Sequence, residues 1–227
     1  MGLTEELKNF LLGQGAALAG IGDMGGLDAR GFRAGVAIAI PLPKDVIASL
    51  QASPTREYYR VYHSTNRKLN EIVLAGEDFL RERGFDAYAQ TTDRVTVDPA
   101  HCSRLPHKTV AARAGLGWIG KNNLLVTPQY GPAVRLSSLL SNAPLEFDAP
   151  IRQSLCGACR LCVAGCPAQA LTGTLWEAGI PRERMVDVEK CRRKQVEIMY
   201  SATGIETDLC GKCFAVCAYT QKYLKAP

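Results

Sequence analysis

Nine cysteines stand in a chain of 227 residues, and eight of them fall after residue 155. They run Cys156-x2-Cys159-x2-Cys162-x3-Cys166-Pro167, then Cys191, eighteen residues, and Cys210-x2-Cys213-x3-Cys217. Three thiolates at intervals of three wrap a tight loop around one face of an iron–sulfur cubane, so their sulfurs converge on three irons. The fourth, after a wider gap and followed by proline, points away and ligates the other cluster in two-cluster ferredoxins. The second group repeats the pattern with a stretched first spacer. On this crossed scheme one 4Fe–4S cluster takes Cys156, Cys159, Cys162 and Cys217, and its partner takes Cys191, Cys210, Cys213 and Cys166. A local second set stays open as an alternative, and Ala218 stands where a proline usually follows such a last cysteine. Zinc sites favour paired C-x2-C knuckles with histidine admixed, which this spacing fits poorly. Disulfides suit small secreted domains, and nothing in the chain points to secretion.

Composition sets the background for this constellation. With 47% hydrophobic and 22% charged residues the chain reads as an ordinary globular protein, not as a disordered, collagen-like or coiled-coil one. The net charge of +5 is no argument for nucleic acid. Eight thiolates around two cores of about +2 each would add roughly −4 and bring the loaded protein near neutrality. The longest apolar stretch, Ala34 to Ile40, is strand-sized, and the acidic start Leu3-Thr4-Glu5-Glu6 lacks the basic residues of a signal peptide. The expectation is a cytoplasmic protein with no membrane partner.

The elements that must hold the cysteines follow from pattern. Residues 4–12 read as a short helix capped by Thr4, and 16–21 as a small-residue strand. The run Gly35 to Ile40, stopped by Pro41 and Pro43, suits a strand covered on both faces. Tyr58, Tyr62, Leu69, Ile72, Val73, Phe79 and Leu80 recur at helical intervals between Pro54 and Arg83, with Gly84 as the stop. Phe85 to Ala89, Asn123 to Val126 and Ala133 to Leu140 read as further strands. The expected class is α+β, with a mixed α/β domain over 1–150 and a ferredoxin-like two-cluster domain over 151–227.

Gly115-Leu116-Gly117-Trp118-Ile119-Gly120 spells G-x-G-x-x-G. A dinucleotide site needs a strand before the motif, a helix after it and an acid about twenty residues on. Here a helix-like segment precedes it, Pro128 and Gly131 interrupt the residues after it, and position 140 is leucine, which excludes NAD. Lys121 reads either as a partner for an anionic group at this loop or as a solvent-facing lysine. Trp118 reads either as a cofactor platform or as a core aromatic. Cys102 is a lone thiol of the inert, buried kind or a reactive one. The basic run Arg182, Arg184, Lys190, Arg192, Arg193 and Lys194 is interspersed with Glu183, Asp187 and Glu189 and reads as a solvated helix face.

The words Ala114-Gly115-Leu116-Gly117-Trp118-Ile119-Gly120-Lys121-Asn122, then Leu124-Leu125 and both cysteine groups, resemble the epoxyqueuosine reductase family. So do Gly15 to Ile21, Phe32 to Pro43 and the Tyr62-His63 pair. The resemblance implies a cobalamin-dependent reductase of a tRNA-borne epoxide, related to reductive dehalogenases, with its clusters ligated in the crossed way. It maps corrinoid contacts to Asn122, Leu125 and Leu136, and to Cys210-Gly211 beside a cluster. Counted back without gaps, the family's catalytic aspartate falls on His101, and the nearest acid, Asp98, is three residues away. His101 with Asp98 is therefore the candidate proton relay. No D-x-H-x-x-G motif is present, in keeping with a corrinoid held without a histidine ligand. The segment between the first two strands (Met24 to Phe32) is shorter than the family's, and the chain stops at Pro227 without the C-terminal helical extension. Both departures argue against tRNA as a partner.

Two functions remain in view. One is an iron–sulfur oxidoreductase whose two clusters feed a site in the N-terminal domain, with a corrinoid as the candidate group there and a small-molecule substrate. The other is a two-cluster electron-transfer protein without corrinoid. Either would meet a redox partner such as a ferredoxin or flavodoxin.

Overall fold

The computed structural model describes residues 2–226, so Met1 and Pro227 lie outside it. In chain order the helices and strands are α1 (Leu3–Gly13), β1 (Leu18–Asp23), β2 (Ala34–Pro41), α2 (Lys44–Ser49), α3 (Arg56–Arg81) and β3 (Ala87–Ala89). There follow α4 (His107–Arg113), β4 (Trp118–Ile119), β5 (Leu125–Val126), β6 (Val134–Ser141), α5 (Leu161–Ala164), α6 (Val188–Thr203), α7 (Lys212–Ala215) and α8 (Ala218–Lys225). No described helix is long and apolar enough to cross a membrane. Two compact units share these elements. One gathers the chain up to Ile40 with Ser64–Gly117 and Arg135–Ile151, and the other gathers Pro41–His63, Trp118–Val134 and everything from Arg152. The units are not contiguous in sequence: segments 41–63 and 118–134 are grouped with the cysteine-rich residues.

The first unit is a four-stranded sheet, ordered β1-β2-β6-β3, with α1, most of α3 and α4. β1 and β2 are antiparallel, from Leu18 opposite Ala39 to Asp23 opposite Ala34, and β3 runs antiparallel to β6. Six consecutive residues of β2 are buried, so its unbroken apolar run does what such runs do in strands covered on both faces. Leu7 and Leu11 of α1, Ile21, Val36, Ile38, and Leu69, Ile72 and Val73 of α3 form the core. Each such side chain is worth about 1.5–3 kcal/mol when fully buried. Thr4 does not cap α1. Gly2 occupies the cap, and buried Thr4 lies inside the helix, where its Oγ1 accepts the Glu146 N–H at 2.8 Å. Long-range use of the hydroxyl has displaced the local one.

Gly20 and Gly22 share one face of β1, because side chains alternate along a strand. A Cβ on Gly20 would lie 2.4 Å from the Ala114 carbonyl oxygen, and one on Gly22 would lie 2.6 Å from the Arg113 carbonyl carbon. The end of α4 thus packs backbone-to-backbone on this strand.

The second unit has a core of Leu42, Val46, Ile47, Leu50, Tyr58, Met199, Leu209 and Phe214. α6 starts at Asp187, whose side chain accepts the Lys190 N–H at 2.9 Å, and stops at Gly204 in the left-handed region. Two four-residue helices echo each other. Cys162 is the second residue of α5 and Cys166 follows four positions later; Cys213 is the second residue of α7 and Cys217 follows four later. Gly211, at φ +80°, opens α7.

Gly22→Ala should lower the denaturation midpoint by an amount equivalent to about 1–3 kcal/mol, the usual cost of overpacking. Gly13→Ala, whose Cβ would meet nothing within 4 Å, should leave it within about 0.5 kcal/mol.

Candidate functional site

The glycine-rich words form a helix end and a hairpin. Gly115, at φ +71°, ends α4, and Trp118–Ile119 then pairs antiparallel with Leu125–Val126. The Gly120 N–H donates to the Leu124 carbonyl, and Asn123 takes the left-handed conformation at φ +59° in the turn. No helix follows the third glycine, so this is not the strand-to-helix turn that cradles a pyrophosphate.

A pocket of about 40 Å³ lies against this hairpin in the second unit. Cys156, Cys159, Cys162 and Cys217 line it, together with Lys121, Asn122 and Tyr219. Cys217, fifty-five residues beyond Cys162, has thus joined the first three thiols. Trp118 is 1% exposed, packs edge-on against Tyr219 at 4.9 Å, and donates its indole N–H to Cys156 Sγ at 3.5 Å. It is a core aromatic with its one polar atom aimed at a thiol. Lys121 is 5% exposed, and its Nζ donates to the carbonyls of Gly157 (2.7 Å) and Cys159 (3.0 Å). The solvent-facing role considered for it is therefore excluded.

The remaining four thiols form a second neighbourhood in the same unit. Burial pushes the Cys213 thiol well above its usual range, and Cys210, Cys191, Cys162 and Cys166 push it further. The Cys191 thiol is raised by burial and also by Cys166, Asp187 and Asp208. Gln195 Nε2 donates to Cys191 Sγ at 3.0 Å, and the Ala170 N–H donates to Cys166 Sγ at 3.5 Å. In the first group burial, then Cys156, Cys217 and Cys159, push the Cys162 thiol up to about 11. Cys217 and Cys210 are raised by burial too. Such thiols stay protonated at neutral pH unless cations draw them into the thiolate form. Among the described residues no three His, Cys, Asp or Glu side chains close on a single ion.

The candidate relay lies in the first unit. Val97 and Ser103 face each other across a tight turn in which the exposed Asp98 carboxylate accepts the Cys102 N–H at 2.8 Å. His101 takes the left-handed conformation at φ +59°, and its N–H donates to the Asp98 carbonyl at 2.9 Å. Asp98 and His101 are thus linked through the backbone of this turn, and Cys102 is half-buried beside them. Of the positions given to a corrinoid, Asn122 and Leu125 are buried in the hairpin, where Asn122 Oδ1 accepts the Leu124 N–H at 3.2 Å. Gly211 is also buried, whereas Leu136 and Cys210 are half-buried.

A further histidine, at the start of α4, escaped the sequence reasoning. His107 Nδ1 lies 2.8 Å from Ser138 Oγ, which accepts from Gln90 Nε2 at 2.7 Å. The serine hydroxyl is left to donate onward to Nδ1, which suits a neutral ring protonated at Nε2. Burial, then Arg135, pull its pKa down to about 4. Only its place three residues before Val110, on the apolar side of α4, could have flagged it.

No model of a known protein family matches the chain. Among curated proteins, the epoxyqueuosine reductase of Listeria monocytogenes is 41% identical over 112 residues, 49% of this chain and 27% of that protein. The epoxyqueuosine reductase of Lactococcus garvieae is 32% identical over 162 residues, 70% of this chain and 42% of that protein. The chain thus spans less than half the length of these relatives. Among solved structures, the catabolic reductive dehalogenase NpRdhA in complex with 3-bromo-4-hydroxybenzoic acid superposes over 95% of this chain and 31% of its own, with a TM-score of 0.71 and 20% identity. An epoxyqueuosine reductase with a tRNA-Tyr epoxyqueuosine-modified stem loop superposes over 96% of this chain and 65% of its own, with a TM-score of 0.64 and 22% identity. The resemblance to epoxyqueuosine reductases therefore holds in sequence and in a mixed α/β fold shared with reductive dehalogenases. One expectation is corrected. The shorter early segment and missing extension argued against tRNA, yet a protein sharing the fold of nearly the whole chain was solved with a tRNA stem loop.

Because the folded-state pKa of His107 lies below its unfolded value of 6.5, the unfolded chain binds the extra proton between pH 6.5 and 4. Stability should fall as pH drops through that window, by on the order of 1–2 kcal/mol after allowing for solvent screening. Denaturant midpoints measured in parallel at pH 7.5 and 4.5 should show this part of the loss in the native chain and not in His107→Gln.

Proposed function

We propose that this kinship extends to chemistry, and that the chain is an epoxyqueuosine reductase-like oxidoreductase carrying two 4Fe–4S clusters in a ferredoxin-like C-terminal part. The observation that carries the proposal is the meeting of Cys217 with Cys156, Cys159 and Cys162 around one pocket. The crossed spacing demands this meeting, and a run of local knuckles does not. The donor set suits the group: four soft sulfur ligands lining one pocket, an indole N–H directed at one sulfur, and a buried ammonium beside them. Cys166, Cys191, Cys210 and Cys213 would hold the second cluster. When bound, such clusters supply single-electron transfer, here toward a site in the N-terminal part.

The chain's own side chains have separate tasks in this proposal. Trp118 and Lys121 fix the loop that bears Cys156 and Cys159, and the repeated turns of α5 and α7 set Cys162 and Cys213 at equivalent positions. His101 and Asp98 are the proposed proton relay, with Asp98 also holding the turn that presents His101. Asn122, Leu125, Leu136, Cys210 and Gly211 are the proposed corrinoid contacts. None of them carries an imidazole, which fits a corrinoid held by shape and backbone rather than by a cobalt-ligating histidine. A tRNA-borne epoxide is the substrate class to test first, since one relative of this fold was solved with an epoxyqueuosine-modified stem loop. An electron-transfer role alone is not favoured, because the matched proteins are reductases and dehalogenases.

Protein purified without oxygen should carry about eight irons per chain. Cys217→Ser should lose roughly half of them, as should Cys162→Ser, and the two changes combined should lose no more than either alone. Cys102→Ser should lose none. Zinc in place of iron, or additive losses from Cys217→Ser and Cys162→Ser, would count against the proposal.

A further inference from the structure

Lys121 presents a problem that the cluster assignment solves. Lysine is almost never fully buried without a partner, because a desolvated ammonium is costly. This one is 5% exposed, and its described contacts are the neutral carbonyls of Gly157 and Cys159. Among the described residues no carboxylate pairs with it. Two carbonyl dipoles orient the ammonium but do not neutralise it. What lies beside it is the pocket lined by Cys156, Cys159, Cys162 and Cys217. Four thiolates around a core of about +2 carry a net charge near −2, and one more negative charge after reduction.

The second group of thiols has a different setting. Asp187, the cap of α6, accepts the Cys191 N–H on its carbonyl at 3.0 Å, and Asp208 lies two residues before Cys210. Asp208 pairs with Arg192 at 3.1 Å, and Lys212 stands between Cys210 and Cys213 in the chain. That field is mixed in sign, whereas the first pocket faces a buried cation. Both groups receive N–H donors on sulfur, from Trp118, Tyr219 and Thr220 in the first and from Gln195, Ala170 and Lys212 in the second, so the buried cation is the feature that distinguishes them.

We propose that Lys121 is the counter-charge of the cluster held by Cys156, Cys159, Cys162 and Cys217, and that it makes this cluster the easier of the two to reduce. The inference rests on the two-cluster proposal and gives it a direction. The ammonium stabilises the more negative, reduced form, so an electron shared by the pair resides chiefly on the first cluster. Lys121 is a positioning and charge-setting residue, since the contacts it makes are with the ligand loop.

The test uses anaerobically prepared, iron-loaded protein, with iron counted per chain and each cluster's midpoint read by redox titration under electron paramagnetic resonance. The signal altered by Cys217→Ser identifies the first cluster. Lys121→Gln keeps an N–H donor for the loop carbonyls and removes the charge. It should shift electron partition at least tenfold away from the first cluster, about 59 mV for one electron, while the second midpoint moves less. Lys121→Arg should stay near the native values. A Lys121→Gln protein with full iron and unmoved midpoints would overturn the inference, as would a larger shift in the second cluster. Should Lys121→Gln shed iron, recovery of iron in Lys121→Arg supports the charge role, and failure of Lys121→Arg as well overturns it. Native protein without iron would instead refute the underlying two-cluster proposal, a result separate from all of these.

Discussion

The cysteine-rich unit is governed by the cost of burying thiols that must become thiolates to bind a metal, with mutual repulsion adding to it. Burial alone drives the Cys162 and Cys213 thiols upward, and each added neighbour drives them further. A chain that assembles two such groups must either keep them as neutral thiols or supply positive charge from outside. The proposed iron–sulfur cores would meet that demand, and N–H donors are directed at Cys156, Cys166 and Cys191 while an ammonium lies buried beside the first pocket. The two short helices place Cys162 and Cys213 at matched positions, each four residues before Cys166 or Cys217.

The hairpin of β4 and β5 connects the glycine-rich words to this chemistry. Its sequence looks like a nucleotide loop, but its backbone spends the glycines on ending α4 and turning a two-residue ribbon. The payload is carried by Trp118 and Lys121, beside those glycines. Both side chains reach the same loop, one through a sulfur and the other through two carbonyls.

Much of this was legible in the residues themselves. The crossed reading of the cysteine spacing groups Cys217 with Cys156, Cys159 and Cys162, which line one pocket, and the apolar runs of β2 and α3 announce their burial by period alone, so the element order agrees closely with expectation. What could not be read was long-range. The burial of Lys121 depends on carbonyls thirty-six and thirty-eight positions away, and the use of Thr4 depends on Glu146. The partners of His107, Ser138 on β6 and Gln90 just after β3, lie far from it in sequence, so its burial leaves no local signal. The segments 41–63 and 118–134 belong with the cysteine-rich unit for a similar reason: they contribute Leu42, Ile47, Tyr58 and Ala133 to its core, which no local composition shift reveals.

The close approach of β1 to α4 bears on how this sequence can vary over time. A side chain that clashes with another side chain can often be accommodated by a second change nearby, but Gly20 and Gly22 meet peptide backbone, which no replacement of a neighbouring residue can trim. Replacement at these two sites therefore requires the strand and helix backbones themselves to move apart, a larger change than repacking an apolar side chain.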